Sequence, residues 1–332
     1  MVIPSWNGKH LLGPCLDSLR RQTFKDFDVL VVENGSTDGS VDFLRSNYAE
    51  VDVLQLERNQ GFAGGVNAGI RAAQTPYVAL LNNDANADPG WLEALVARLD
   101  GHPQAGGCTS KILMVNAEGT ASEIDSTGDF YTTWGLPFPR GRGEIDRHQY
   151  AQAEEVFGGS GGATLYRASL FEAIGLFDEA FFAYFEDVDL AFRARLAGYA
   201  HYYEPAAVVH HELGATSAGL GSFRRYHGIK NICYVYVKNM PGRLFWRYLP
   251  RFVLSQLLLL ASSIRQRLFV VHLKALGRVV ITLPSVLAAR RGVQRGRAIG
   301  VTEIDGWLVK GLPPLQRHSI RRLLRRGSQV SG

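Results

Sequence analysis

Tyr77-Val-Ala-Leu-Leu-Asn-Asn-Asp84 decides the class of fold. A short apolar run, rich enough to be buried on both faces, is followed at once by three polar side chains, as when a core strand ends at a crevice. The same pattern recurs upstream. Phe27-Asp-Val-Leu-Val-Val32 precedes Glu33-Asn-Gly-Ser-Thr-Asp-Gly39, Val53-Leu54 begins another run, and Val2-Ile3 leads into Pro4-Ser-Trp-Asn-Gly8. Between these runs, Leu11 to Arg21, Ser40 to Asn47 and Gly65 to Ala73 read as helices. Strands alternating with helices imply an α/β fold with a parallel sheet, whose ligands sit at the carboxyl ends of the strands. Gly, Asn, Asp and Ser also dominate ordinary turns, so one such loop says little. Three after successive strands of one sheet point to a nucleotide crevice.

The bulk composition agrees. With 46% hydrophobic and 20% charged residues the 332-residue chain is globular, and long enough for one large domain or two ordinary ones. Its formal charge of +5 conceals a division. Met1 to Val237 carries 18 Lys+Arg against 29 Asp+Glu, whereas Lys238 to the end carries 18 against 2. The basic part calls for an anionic partner. No nucleic-acid-binding module accompanies that charge, so nucleic acid is not expected. Cys15, Cys108 and Cys233 form no C-x-x-C pair, which excludes a disulfide framework and suits a reducing compartment. No secretory signal is visible, and the first apolar run is short enough that the natural start is expected further upstream.

A second block holds Phe157-Gly-Gly-Ser-Gly-Gly-Ala163, Gly175-Leu-Phe-Asp-Glu179 and Phe182-Ala-Tyr-Phe-Glu-Asp-Val-Asp189. Val188, Ala191, Phe192 and Leu196 share one helical face ending at Gly198, which puts Glu186 and Asp187 in a first helical turn, where backbone N–H groups favour an ionised carboxylate. From Phe245 the chain is apolar and basic together. Arg251 and Arg265 bracket an uncharged stretch of 13 residues, and Leu268 to Ala289 is interrupted by His272, Lys274, Arg278 and Pro284. Neither meets the ~20 uncharged residues of a spanning helix. Basic helices with apolar faces lying at an anionic membrane surface are expected instead, with Arg321-Arg-Leu-Leu-Arg-Arg326 as a solvated basic tail.

These residues suit sugar transfer from a nucleoside diphosphate. Such a reaction needs the departing diphosphate neutralised, the acceptor hydroxyl deprotonated and the donor held in line. Asp84, at the end of its strand, is the candidate carboxylate for a hard cation, Mn²⁺ or Mg²⁺, while Asn82 and Asn83 can bond ribose or diphosphate without adding charge. A second metal ligand is offered by His210 or His211, after Ala206-Ala-Val-Val209. Asp187 is the candidate base, set among Phe181, Phe182, Tyr184 and Phe185, where desolvation raises its pKa. Glu186 and Asp189 are alternatives, either of which can instead cap the helix or pair with Arg193 or Arg195. Lys230 is a candidate diphosphate contact, and Phe130, Trp134 and Phe138 can stack on sugar faces or anchor loops.

The ordered series Val2-Ile-Pro-Ser-Trp-Asn-Gly8, Gln22-Thr-Phe24, Val31-Val-Glu-Asn-Gly-Ser-Thr-Asp-Gly-Ser40, Asn59-Gln-Gly-Phe62, Asn67-Ala-Gly69, Leu81-Asn-Asn-Asp84, Phe177-Asp-Glu179, Glu186-Asp-Val-Asp189 and the paired histidines resembles glycosyltransferase family 2, inverting and of the GT-A type, in its bacterial rhamnosyltransferase-like branch. The resemblance implies a GT-A domain over 1–223, a Rossmann-like mixed sheet flanked by helices. It further implies a membrane-interfacial helical region over 224–300, before the basic tail of 301–332. By position, Pro4 and Glu33 would line the base pocket, Glu33 accepting from N3–H of a uracil or thymine, and Trp6 would also bind the donor. Asn59, Gly61, Phe62 and Asn67 would shape the nucleoside and diphosphate side. Asp84 would be the remaining carboxylate of a D-x-D signature, Asp187 the base, and His211 the residue nearer the metal, with His210 behind it. Two departures stand out: Glu33 replaces the family's usual Asp, and Asn82 replaces the first Asp of D-x-D. The expected reaction moves L-rhamnose from a deoxythymidine diphosphate donor to a hydroxyl of a lipid-linked saccharide, at the cytoplasmic face of the membrane. The alternatives are a UDP- or GDP-sugar donor and, from another class, a catalytically inactive membrane-associated scaffold. A sugar nucleotidyltransferase is disfavoured, because Ser5-Trp-Asn-Gly-Lys-His10 is poor in the glycines and cations that hold a triphosphate.

Overall fold

The computed structural model describes residues 1–115, 121–212 and 221–314. Its first part alternates as expected: β1 (Val2–Ser5), α1 (Lys9–Arg20), β2 (Leu30–Glu33), α2 (Ser40–Asn47), β3 (Asp52–Gln55), α3 (Gly61–Ala72) and β4 (Tyr77–Leu81). Strands β3, β2, β1 and β4 lie side by side in that order and run parallel. The 27–32 run contributes strand only from Leu30, and α3 begins at Gly61, one turn before the expected Gly65. Close packing explains the glycines of α3: a Cβ at Gly69 would collide with the Val2 side chain beneath it.

The sheet then becomes mixed. After β5 (Ala85–Ala87) and α4 (Trp91–Asp100) come the long β6 (Ala105–Val115), β7 (Ala121–Ser126), the hairpin β8 (Asp129–Tyr131) and β9 (Pro137–Pro139), and the short β10 (Glu154–Glu155). Strand β11 (Ala163–Arg167) sits antiparallel between β4 and β6. Helices α5 (Ala168–Ile174) and α6 (Glu186–Leu196) lead to β12 (Ala200–His211), which runs parallel to β6 and carries β5 on its far end. The central strands are buried throughout, and Ile3, Val31, Leu81, Trp91, Cys108 and Leu165 belong to one core.

The remainder is helical: α7 (Gly221–Asn239), α8 (Gly242–Arg265), α9 (Phe269–Arg295) and α10 (Val301–Trp307). Helix α7 is buried from Ile229 to Tyr236 and packs Ile232, Tyr236 and Met240 with Phe181, Phe192 and Phe252 in a second core. Helix α9 lies along α7, tied by Tyr234 OH to Thr282 Oγ1 at 2.6 Å, Arg290 to Val237 O at 2.6 Å and Gln294 to Asn239 O at 2.8 Å. By length and composition Phe269–Arg295 is the one helix among the described residues that is long and apolar enough to cross a membrane. That differs from the sequence reading, in which its charges and Pro284 counted against a span. Where a solvated tail was expected from residue 301, α10 is anchored: Ile304 is buried and Trp307 lies under the Arg195 guanidinium, 3.9 Å from its carbon. Arg321 to Arg326 lies outside the described residues.

Candidate active site

Three chain segments converge at the carboxyl edge of the sheet: the end of β4, the end of β12 and the start of α6. Beyond Leu81, Asn82 N–H bonds Gly162 O at 2.9 Å and the Asn83 amide reaches Ser5 Oγ at 3.2 Å, so the polar segment is fastened to its neighbours on both sides. Asp84 is nearly buried, with Oδ1 3.3 Å from His211 Nε2. Alternation along β12 separates the two histidines. His211 turns to Asp84, whereas His210 turns to Asp88, its Nε2 3.1 Å from Oδ1.

The other ring nitrogen of His211 is held as well. Nδ1 lies 2.9 Å from Asp125 Oδ2, and Asp125 Oδ1 pairs with Arg142 at 3.1 Å. Burial disfavours a charged imidazole, but the hydrogen bonds to Asp125 and Asp84 outweigh it and lift the His211 pKa to about 10. For Asp125, burial is overcome by His211 and Arg142, which hold its carboxyl below the usual range. Once the Nε2 proton is displaced, that nitrogen and the Asp84 oxygen, with Nδ1 still anchored on Asp125, make a donor pair with outer-shell support that fits a divalent cation. Among the described residues no three such side chains converge as a complete cage. The fit is therefore to a cation that shares its coordination with substrate oxygens.

The three acidic residues of the first turn of α6 have different surroundings. Asp189 is 0% exposed, and its carboxylate accepts from Arg193 at 2.8 Å, Lys238 at 3.0 Å and Asn239 at 2.8 Å. Burial opposes its ionisation, but Lys238 and Arg193 prevail and its pKa is lowered. Glu186 is 5% exposed; burial and then Asp187 push its pKa well up, and Oε2 has no hydrogen-bond partner among the described residues. Asp187 is the half-buried one. Its Oδ2 accepts from Gly161 N–H at 3.0 Å and Oδ1 from Val188 N–H at 2.8 Å. Burial raises its pKa, and those backbone donors partly offset the rise. Nearby Asp129 is lifted to about 8 by burial and then by the Asp187 charge.

This turn is entered through a backbone rarely seen outside glycine. Phe182, Tyr184 and Phe185 have φ of 67°, 70° and 66°. Left-handed non-glycine residues cost of order 1–3 kcal/mol each, and they persist only where the surroundings hold them.

The expected donor-side residues divide into two kinds. Trp6 is 43% exposed beside Asn7, itself at φ 49°, and Pro4 is half-buried. Glu33 is 0% exposed: its oxygens accept from Ser36 N–H at 2.9 Å, Ser40 Oγ at 2.9 Å and the Ser36 hydroxyl. In this arrangement Glu33 braces the loop after β2 and does not face the crevice as a free acceptor. Asn59 accepts from Gly61 N–H at 2.7 Å at the start of α3. Asn67 is fully buried, exchanging hydrogen bonds with the Phe177 backbone and reaching Glu179 at 2.9 Å, so it ties α3 to the Phe-Asp-Glu motif. Lys230 donates to Ala180 O at 2.7 Å and holds a loop. Phe130 and Phe138 stack on each other at 5.9 Å across the β8–β9 hairpin, and Trp134 packs against the second core. Asp125 and Asp129 escaped the sequence reading, while Gly161, within the Phe157-to-Ala163 run, and Asn231, beside Lys230, were given no role in it.

The description "Glycosyl transferase family 2" matches residues 1–175. The chain is 30% identical over 280 residues to the N-acetylglucosaminyl-diphospho-decaprenol L-rhamnosyltransferase of Mycobacterium tuberculosis, covering 77% of this chain and 90% of that one. It is 28% identical over 214 residues to a pre-mycofactocin glycosyltransferase of the same organism, over 64% of this chain and 42% of that one. Among solved structures, GalNAc-T7 with UDP, GalNAc and Mn²⁺ superposes with a TM-score of 0.58 at 16% identity, over 73% of this chain and 48% of that chain. Residues 1–349 of S. aureus TarS give 0.50 at 20% identity, over 76% and 69%. At such identities the likeness concerns the fold, which is of the GT-A type.

Proposed function

The chain belongs to glycosyltransferase family 2, and we propose that it transfers a sugar with inversion from a nucleotide donor to a lipid-linked saccharide, with Asp187 as base. The observation that carries this reading is the link between the Asp84–His211 pair and Asp187, the one carboxylate of its helical turn that keeps solvent access: the Gly161–Gly162 loop bonds Asp187 on one side and Asn82, two residues before Asp84, on the other. In the reaction the acceptor oxygen attacks the anomeric carbon from the face opposite the diphosphate. The carbon–oxygen bond to the diphosphate breaks, its electron pair leaves with the diphosphate, and the hydroxyl proton passes to Asp187. The raised pKa of Asp187 favours accepting that proton. Gly161 and Val188 N–H groups fix both carboxylate oxygens, so the accepting lone pair has a defined direction. Asp84 and His211 would hold Mn²⁺ or Mg²⁺, which when bound neutralises charge on the departing diphosphate.

The mycobacterial relative, an N-acetylglucosaminyl-diphospho-decaprenol L-rhamnosyltransferase, supports an L-rhamnose donor and a polyprenyl-linked acceptor here. The surface of α8 and α9 supports the same acceptor class. Trp246, Val253, Leu257 and Ile264 recur at steps of seven, four and seven residues and so form one exposed apolar stripe on α8. On α9, His272, Ala275 and Val286 face inward, while Phe269, Leu273, Val280 and Leu287 are exposed. No acidic residue occurs between Lys238 and Glu303. An apolar surface rimmed only by cations suits an anionic membrane surface, with the catalytic domain on its cytoplasmic side.

The test is release of nucleoside diphosphate from a panel of dTDP-, UDP- and GDP-sugars, with and without Mn²⁺, in the presence of membrane lipid extract. Metal-stimulated release from one donor, abolished in Asp187→Asn, is the expected result and identifies the sugar. Turnover that survives Asp187→Asn would remove Asp187 from its role. No turnover from any donor would favour the inactive scaffold.

A further inference from the structure

The strained segment before Asp187 is held by a set of donors on α7. Asn231 Nδ2 lies 3.0 Å from Phe181 O, 2.8 Å from Ala183 O and 2.6 Å from Tyr184 O. Lys230 Nζ reaches Ala180 O at 2.7 Å and Phe181 O at 3.3 Å, and His227 Nδ1 lies 3.2 Å from Phe181 O. From the opposite side Ala63 N–H, in the first turn of α3, bonds Phe182 O at 3.2 Å, and a Cβ at Gly61 would collide with that same oxygen. Left-handed residues turn their carbonyls out of any regular ladder, and such carbonyls must find donors elsewhere when buried. Here α7 bonds the carbonyls of Ala180, Phe181, Ala183 and the left-handed Tyr184, while α3 bonds that of the left-handed Phe182. Asn231 is 0% exposed, and its own Oδ1 has no hydrogen-bond partner among the described residues. It is the amide's donor end that the fold uses.

We infer that Asn231, assisted by Lys230 and His227, is a positioning residue that holds the segment in which Phe182, Tyr184 and Phe185 are left-handed and thereby aims the Asp187 carboxylate. The inference rests on the reading of Asp187 as the base. It assigns α7 a part in the chemistry although none of its side chains touches the reacting atoms. Phe185 is the residue from which α6 starts, with φ 66° and ψ 8°. A change of φ at Tyr184 or Phe185 rotates the first turn of α6 and swings Asp187 relative to Gly161. A displacement of ~1 Å at a catalytic group can lower turnover about 10²-fold while leaving ground-state binding in place. Lys230 has the right character for the same work: burial, and then Arg278, depress its pKa to about 8, and its contacts are carbonyls of this loop.

The experiment measures kcat, the donor KM and the donor Kd for the full chain with lipid extract, in Asn231→Asp, Asn231→Leu and Lys230→Met. Asn231→Asp keeps the shape but faces three carbonyls with oxygens in place of a donor; Asn231→Leu removes the donor without adding charge. The expected result is a kcat reduced at least about 30-fold, with donor KM and Kd within about threefold of the parent. Unchanged kcat in a folded Asn231 variant would overturn the inference. So would parallel losses in kcat and donor affinity, which would place Asn231 in donor binding or general folding. If both Asn231 variants fail to fold, Lys230→Met decides: a lowered kcat with intact donor affinity supports the clamp, and wild-type kinetics refutes it. Asp187→Asn run beside them separates the two ideas. Should it stay active, the base assignment fails whatever Asn231 does; should it be inactive while Asn231 variants turn over normally, only the clamp fails.

Discussion

Up to His211 the chain hides its apolar side chains; from α8 onward it displays them. Among the described residues before α7, Trp6 and Ile145 are the large hydrophobic side chains left exposed, whereas α8 and α9 expose thirteen. The charge divides near the same place, acidic before Lys238 and basic after it. The sheet half is built for water: its strands bury both faces, and its loops at the carboxyl edge carry the polar groups. The helical half packs one face on the protein and leaves apolar side chains exposed on another. Helix α7 stands between them with features of both, burying Lys230, Asn231, Lys238 and Asn239 so that the carbonyls and carboxylates of the catalytic half find partners. A region that exposes apolar faces can thus still brace the catalytic half from behind.

The largest effect expected from breaking this contrast lies in the sheet half. Asp187→Asn should lower kcat by about 10²–10⁴-fold with donor affinity nearly unchanged, measured by nucleoside diphosphate release and donor titration. The wild-type pH profile should show the same group. The base must be ionised to accept a proton, so kcat falls as pH drops through its pKa. Burial has raised that pKa, so the acid limb should lie above the ordinary aspartate value of ~3.9. A limb at or below that value would argue against a desolvated Asp187. Next in size, Asp125→Asn removes the carboxylate that orients His211, and a loss of about 10–100-fold in Mn²⁺ affinity is expected by calorimetric titration. Unaltered Mn²⁺ binding would leave Asp125 as a partner of Arg142 only.

In the helical half the expectation reverses. Leu257→Glu combined with Val280→Glu should cut binding to anionic vesicles at least about tenfold, since each apolar side chain withdrawn from a membrane forfeits ~1.5–3 kcal/mol. Turnover of a water-soluble acceptor analogue should change little. Equal loss of both activities would mean that α8 and α9 shape the catalytic half directly. The smallest effect is electrostatic. Raising salt from ~0.1 to ~1 M shortens the screening length from about 10 to about 3 Å, and vesicle binding should weaken a few-fold without being abolished. Salt-insensitive binding would assign the interaction to the apolar stripe alone.

Much of the catalytic half was legible because its signals are local. Leu81-Asn-Asn-Asp84 shows a strand and its polar end in consecutive letters, and Glu186 to Leu196 shows a helix with acids in its first turn. The residues alone left the histidine pair open, and the resemblance favoured His211; β12 alternation sends His211 to Asp84 and His210 to Asp88. Glu33 and Asn67 were placed on the donor side by the resemblance alone; in the fold both are buried and bonded to nearby backbone and hydroxyl groups, as buried carboxylates and amides must be. Asp125 had no local sign at all: it meets His211 across 86 residues of sequence.

What the sequence determined by itself was the alternation of strands and helices, the polar loops at strand ends, the acids opening α6 and the acid-free basic stretch, all readable within a few turns of chain. Tertiary structure alone decided which of three neighbouring carboxylates keeps access to solvent, which histidine joins Asp84, and which amide supports the strained loop. Those choices depend on burial and on partners brought from distant elements, and neither desolvation nor a hydrogen bond across a core can be seen until the chain has folded around it.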